Sequence, residues 1–80
     1  MTTSETIQSI LLTLKSDEPD FNVNSENFLA DSSLDSFDLM QLVLQIESKF
    51  SIKIPPSLLL PESFVNVQAI QDLVEHITFP

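Results

Sequence analysis

The chain predicts an all-α fold: a small bundle of three main helices and one short helix, with a long loop between helices 1 and 2. Three observations carry this. Apolar residues recur with helical spacing in three separate stretches. Good capping residues stand at or near the head of each. Segments rich in Pro, Asn and acids separate them. The first helix is expected over about 3–15. Ile7, Ile10, Leu11 and Leu14 supply its apolar stripe, Thr2 with Glu5 matches a capping box, and Lys15 suits the last turn. Residues 16–33 then hold Pro19 and three Asn, a loop composition. Loops of that length are uncommon unless tied down, so Phe21, Val23, Phe28 and Leu29 are expected to anchor it to the core.

The second helix is expected over 36–50. Leu39, Leu42, Val43, Ile46 and Phe50 lie on one side of it and read as core. Ile52 and Ile54 lead to Pro55-Pro56, which stop any continuation. The Ser57–Leu60 run, closed by Pro61, predicts a short helix over 57–61. Asn66 suits the cap of a last helix over 66–77, with Val67, Ile70, Leu73, Val74 and Ile77 as its buried stripe. The whole chain, 1–80, reads as one domain, near the lower size at which a single core supports a fold.

Composition narrows the function. Hydrophobic residues make up 42% of the chain, enough to reject disorder despite a net charge of −9. Twelve acids face only Lys15, Lys49 and Lys53, a balance that repels nucleic acid and anionic membrane and favours partners with basic docking patches. With no Cys there is no disulfide, thiolate metal site or Cys nucleophile, so any thioester chemistry must take its sulfur from a cofactor. With no Gly there is no Gly-rich phosphate loop. The Ile10–Leu12 run is too short for a membrane span and lacks the basic flank of a signal peptide, so a cytoplasmic monomer is the expectation.

The second helix carries more apolar surface than one core stripe needs. Phe37, Met40 and Leu44 form a second stripe, well over about 90° around the helix from the first. Two readings fit it: a docking surface for a partner, or a surface covered by the long first loop. At the head of this helix stands Asp35-Ser36. Asp35 is a strong cap and Asp38 completes a near match to a capping box, so Ser36 is spared that work. Its hydroxyl falls where backbone N–H groups lack partners and the helix dipole is positive, a setting that suits a phosphate ester.

The run Leu34-Asp35-Ser36-Phe37-Asp38-Leu39, with Leu42, Glu47…Phe50, Ile54-Pro55 and the last helix, resembles the acyl carrier protein family over nearly the whole chain. The resemblance implies that Ser36 is where a 4'-phosphopantetheine arm is attached, taken from coenzyme A by a separate phosphopantetheinyl transferase that needs Mg²⁺. The arm's thiol would hold an acyl group as a thioester. A loading ligase for acyl or aminoacyl groups and a downstream synthase or transferase would be the other partners. The chain itself would catalyse nothing. The partner surface expected around Ser36 comprises Asp35, Phe37, Asp38, Met40, Gln41, Leu44 and Glu47. Fatty acid, polyketide and other specialised pathways are all compatible. The alternatives are an aminoacyl or peptidyl carrier, and an unmodified helical adaptor that binds through the Phe37/Met40/Leu44 stripe.

This sequence departs from the family in places. Asp31-Ser32-Ser33 stands where many members have Asp-Leu-Gly, and Phe37 occupies a position usually held by Leu or another aliphatic residue. Gln41, Gln45, Ser48 and Lys49 make the second helix less acidic than in housekeeping carriers. Other chemistry is poorly supported. Asp31, Ser33 and Asp35 imitate the start of a calcium loop, but Leu42 fills the place of its bidentate Glu, so no specific metal site is expected. His76 is the one histidine, and no nucleophile elbow or oxyanion loop accompanies it.

Overall fold

The computed structural model describes residues 2–78. Three α-helices and two short 3-10 turns make up the bundle, and no strand occurs among the described residues. Helix α1 spans Thr3–Leu14, α2 Ser36–Phe50 and α3 Val67–Thr78. Helix α1 packs against both α2 and α3, so its buried face, Ile7, Ile10 and Leu11, sits at the centre. Leu42 and Ile46 meet it from α2, and Ile70, Leu73 and Val74 from α3. Val67 and Ile77, expected in the buried stripe, are only half-buried at the two ends of α3.

Each main helix begins as its sequence dictates. The Thr2 hydroxyl accepts from the Glu5 amide at 3.1 Å while Glu5 accepts from the Thr2 amide, closing the first capping box. The Asn66 side chain accepts from the Ala69 amide at 2.7 Å. Its amide nitrogen also donates to the Glu26 carbonyl, and Phe28 N–H donates to Val65 O, so the long loop is stitched to the entry of α3. Phe28 is fully buried and stacks on Phe21 with ring centroids 5.6 Å apart. Leu34, just before α2, is the second buried anchor of the loop; Phe21, Val23 and Leu29 pack half-buried against the core.

Two stretches differ from the sequence reading. In place of one short helix over 57–61 there are two 3-10 turns, Pro56–Leu58 and Pro61–Phe64. Proline is the reason: Pro56 and Pro61 each open a turn, and Pro61, lacking an N–H, cannot continue the first one. The second turn buries Phe64 against the core. The other difference is at the end of α1. The helix stops at Leu14, and Lys15 does not spend its charge on the last turn. It lies on the buried stripe four residues past Leu11, is 8% exposed, and sends its ammonium across to α2.

The chain has no glycine, yet among the described residues two positions take a left-handed backbone: Ser32 (φ 61°) and Ser51 (φ 54°). Ser51 ends α2, with its N–H and that of Ile52 both donating to Glu47 O. Ser32 stands in the bend before α2, which is held by Ser33 N–H donating to Phe28 O (2.9 Å) and to the Asp31 carboxylate (3.0 Å).

Candidate functional site at the head of α2

Ser36 is the first residue of α2 and is exposed. The turn it opens is capped from both sides. Asp35 Oδ1 accepts from the Asp38 amide at 2.9 Å, and Asp38 Oδ2 accepts from the Asp35 amide at 3.3 Å. Asp35 and Asp38 thus do the capping, and the Ser36 hydroxyl stands outside the box. Helix geometry leaves the Ser36 and Phe37 amides as the remaining donors of the first turn, at the positive end of the dipole.

Asp38 is more committed than a surface acid. The same Oδ2 accepts from Lys15 Nζ at 2.8 Å, and Lys15 also reaches Glu18 at 3.2 Å. Burial disfavours the charge on Asp38, but the Lys15 ammonium and the Asp35 amide outweigh it and hold the carboxyl below the usual aspartate range. Lys15 responds in the opposite sense. Burial lowers its affinity for the proton, and the hydrogen bonds it donates to the Asp38 and Glu18 carboxylates more than restore it, so its pKa is raised.

The residues expected to meet partners therefore divide. Phe37, Met40 and Leu44 are 67%, 65% and 57% exposed, and the long first loop does not cover them. Asp35 is exposed beside Ser36, and Gln41 is half-buried. Glu47, by contrast, is half-buried and accepts from the Ile54 amide at 2.8 Å, which pins the segment after α2 back onto the helix. Asp38 and Glu47 are thus tied into the fold. The Asp31 carboxylate takes the Ser25 hydroxyl and the Ser33 amide, which lower its pKa, and does not share a site with Asp35. His76 is exposed in the last turn of α3.

One turn along from Ser36, a groove of about 350 Å³ opens between α2 and the segment after Leu58. Leu39, Val43 and Phe64 line it, with Met40, Leu44, Leu59 and Leu60 at its sides. Sequence reasoning missed it. The signal was there in Leu58-Leu59-Leu60, an apolar run hemmed by prolines and longer than one short turn needs. Leu39 and Val43, read as core, are half-buried because they face this opening.

The family model for the phosphopantetheine attachment site matches residues 5–77. The chain belongs to the acyl carrier protein family. It is similar to an acyl carrier protein of Zymomonas mobilis, 32% identical over 75 residues that cover 94% of this chain and 90% of that relative. An acyl carrier protein of Helicobacter hepaticus is 29% identical over 77 residues, covering 96% and 95%. No solved structure matches at comparable significance. Carriers of this family are not enzymes; covalent 4'-phosphopantetheine is their cofactor, and they serve transferases and synthases. No helix among the described residues is long and apolar enough to cross a membrane.

Proposed function

We propose that this chain is an acyl carrier whose arm is attached at Ser36, and that its cargo is an apolar acyl group. The head of α2 supports the first part. The serine is exposed, spared from capping, and set where two first-turn amides and the dipole favour an anionic phosphodiester. Attachment is a substitution at phosphorus. The Ser36 oxygen bonds to the pantetheine-side phosphorus of coenzyme A, the pyrophosphate bond breaks, and adenosine 3',5'-bisphosphate leaves. The hydroxyl proton passes to a base of the transferase. Once in place, the arm supplies the thiol that this Cys-free chain lacks. What the chain contributes is presentation: Asp35 and Asp38 fix the turn, and Phe37 sits beside the serine at the surface.

The groove favours acyl over aminoacyl cargo. Its lining is hydrocarbon from Leu, Met, Val, Pro and Phe, which rewards burial of an aliphatic chain and offers nothing to an ammonium group. The transferase, a loading ligase and a downstream synthase are read as docking on Phe37, Met40 and Leu44, flanked by Asp35 and Gln41. Because Asp38 and Glu47 are hydrogen-bonded within the fold, docking relies on apolar contact more than the overall charge suggests. A cytoplasmic monomer working in fatty acid, polyketide or other specialised biosynthesis fits these features.

Intact mass after incubation with coenzyme A, Mg²⁺ and a broad-specificity transferase tests the assignment. One phosphopantetheinyl group is expected on the wild type and none on Ser36→Ala, which keeps its helical circular dichroism. Modification that persists in the alanine variant would place the arm elsewhere. A ligase panel then separates the cargoes, with acyl transfer expected to outpace aminoacyl transfer.

A further inference from the structure

Lys15 is in the wrong place for a lysine. Its position continues the stripe of Ile7 and Leu11, and its side chain is 7% exposed. An aliphatic residue would fill such a site at no electrostatic cost, whereas a buried ammonium must be paired. The pairing is specific. Nζ crosses from the end of α1 to Asp38 Oδ2 at 2.8 Å, the oxygen that also accepts the Asp35 amide. Lys15 therefore holds the Asp38 carboxylate in the orientation that closes the capping box, and the box fixes the residue immediately before Ser36. Glu18, on the turn just after α1, shares the ammonium at 3.2 Å and keeps it at this end of the bundle.

We propose that Lys15 is a positioning residue for the modification of Ser36: acting through Asp38, it keeps the head of α2 in the capped form that presents the serine. This rests on Ser36 being the attachment site. Without Lys15, the first turn of α2 depends on an exposed Asp35 and a carboxylate free to rotate, so the turn frays part of the time. A partner that needs the capped turn then sees a reduced fraction of competent carrier, and its apparent affinity falls by that fraction while the chemical step is untouched.

The experiment uses the full apo chain as substrate of a phosphopantetheinyl transferase, well below the melting temperature. It compares wild type, Lys15→Met, Lys15→Arg and Val74→Ala. The last weakens the core from α3, away from the head of α2, and reports what lost stability alone does. Lys15→Met is expected to raise KM for the carrier by about fivefold with kcat kept, as a lowered competent fraction requires. Amide hydrogen exchange at Asp38 should quicken in the same variant. Lys15→Arg should restore both, and Val74→Ala should leave KM unchanged. Wild-type KM and wild-type Asp38 exchange in Lys15→Met would overturn the role, as would an equal rise of KM in Val74→Ala. A wild-type chain that takes no group at Ser36 would overturn the attachment reading beneath it. A modified wild type indifferent to Lys15→Met overturns the positioning role alone.

Discussion

Helix α2 shows two apolar faces built from similar side chains and put to different ends. Leu42 and Ile46 are fully buried in the core that α2 shares with α1, while Phe37, Met40 and Leu44 on the other side are more than half exposed. Hydrophobicity alone does not distinguish them, since both faces follow helical spacing. What separates them is partnership. The inward face packs on α1 within the shared core, and the outward face meets only the edge of a groove. Uncovered apolar patches commonly mark interaction sites, and here the patch lies next to Ser36, the proposed attachment site.

The largest expected effect lies on the inward face. Leu42→Ala and Ile46→Ala should each cost about 2–5 kcal/mol, the range for emptying a packed aliphatic site. In a domain this small that is a large share of total stability, so the variants are expected to melt far below the wild type. A loss below about 1 kcal/mol would mean that the inward face is loosely packed, and the contrast would fail.

The polar tie at the head of the helix comes next. The folded pKa of Asp38 is depressed, so its stabilisation is present above the ordinary aspartate range and is lost as pH falls through the folded value. Lys15 has a raised folded pKa, so its contribution is full below the ordinary lysine range and lost as pH rises through the folded value. The two limbs report one pair at opposite ends of the pH scale. Asp38→Asn should flatten the acid limb and destabilise the fold by about 1–3 kcal/mol near neutral pH. Urea melts across the acid range check it; an unchanged acid limb would show that Asp38 is not the group being titrated.

A smaller gain is expected at the far end of α2. Ser51 holds a left-handed backbone that costs a residue bearing a Cβ roughly 1 kcal/mol. Ser51→Gly should raise stability by up to about 1 kcal/mol while leaving both faces, and hence modification at Ser36, as they were. A gain in melting temperature accompanied by slower modification would mean that stability and presentation cannot be separated along this helix.

Most of this architecture was legible in the sequence because the dictating forces are local. Thr2, Asp35 and Asn66 start helices through bonds to residues three positions on, so spacing alone reveals them. The outward stripe of α2 was equally plain from its angle. What stayed hidden depends on contacts distant in the chain. Lys15 read as a partner for its own helix end, but the carboxylate it meets is 23 residues away. Glu47 read as a surface acid, yet the chain after α2 folds back to donate Ile54 N–H to it. The groove required knowing that Pro61 starts a second turn and swings Leu59 and Leu60 alongside Met40 and Leu44. Spacing encodes what lies within one helix; which helices meet, and through which charges, it leaves open.

The most direct test of the two-faced helix puts stability and modification side by side. Thermal melts and transferase kcat/KM would be measured for Phe37→Ala, Met40→Ala, Leu44→Ala, Leu42→Ala and Ile46→Ala. The outward variants should lose under about 1 kcal/mol, since exposed side chains give up little on truncation, while modification at Ser36 slows clearly. If they instead unfold the chain as severely as Leu42→Ala, or melt normally and are modified at the wild-type rate, the outward face is not the docking surface.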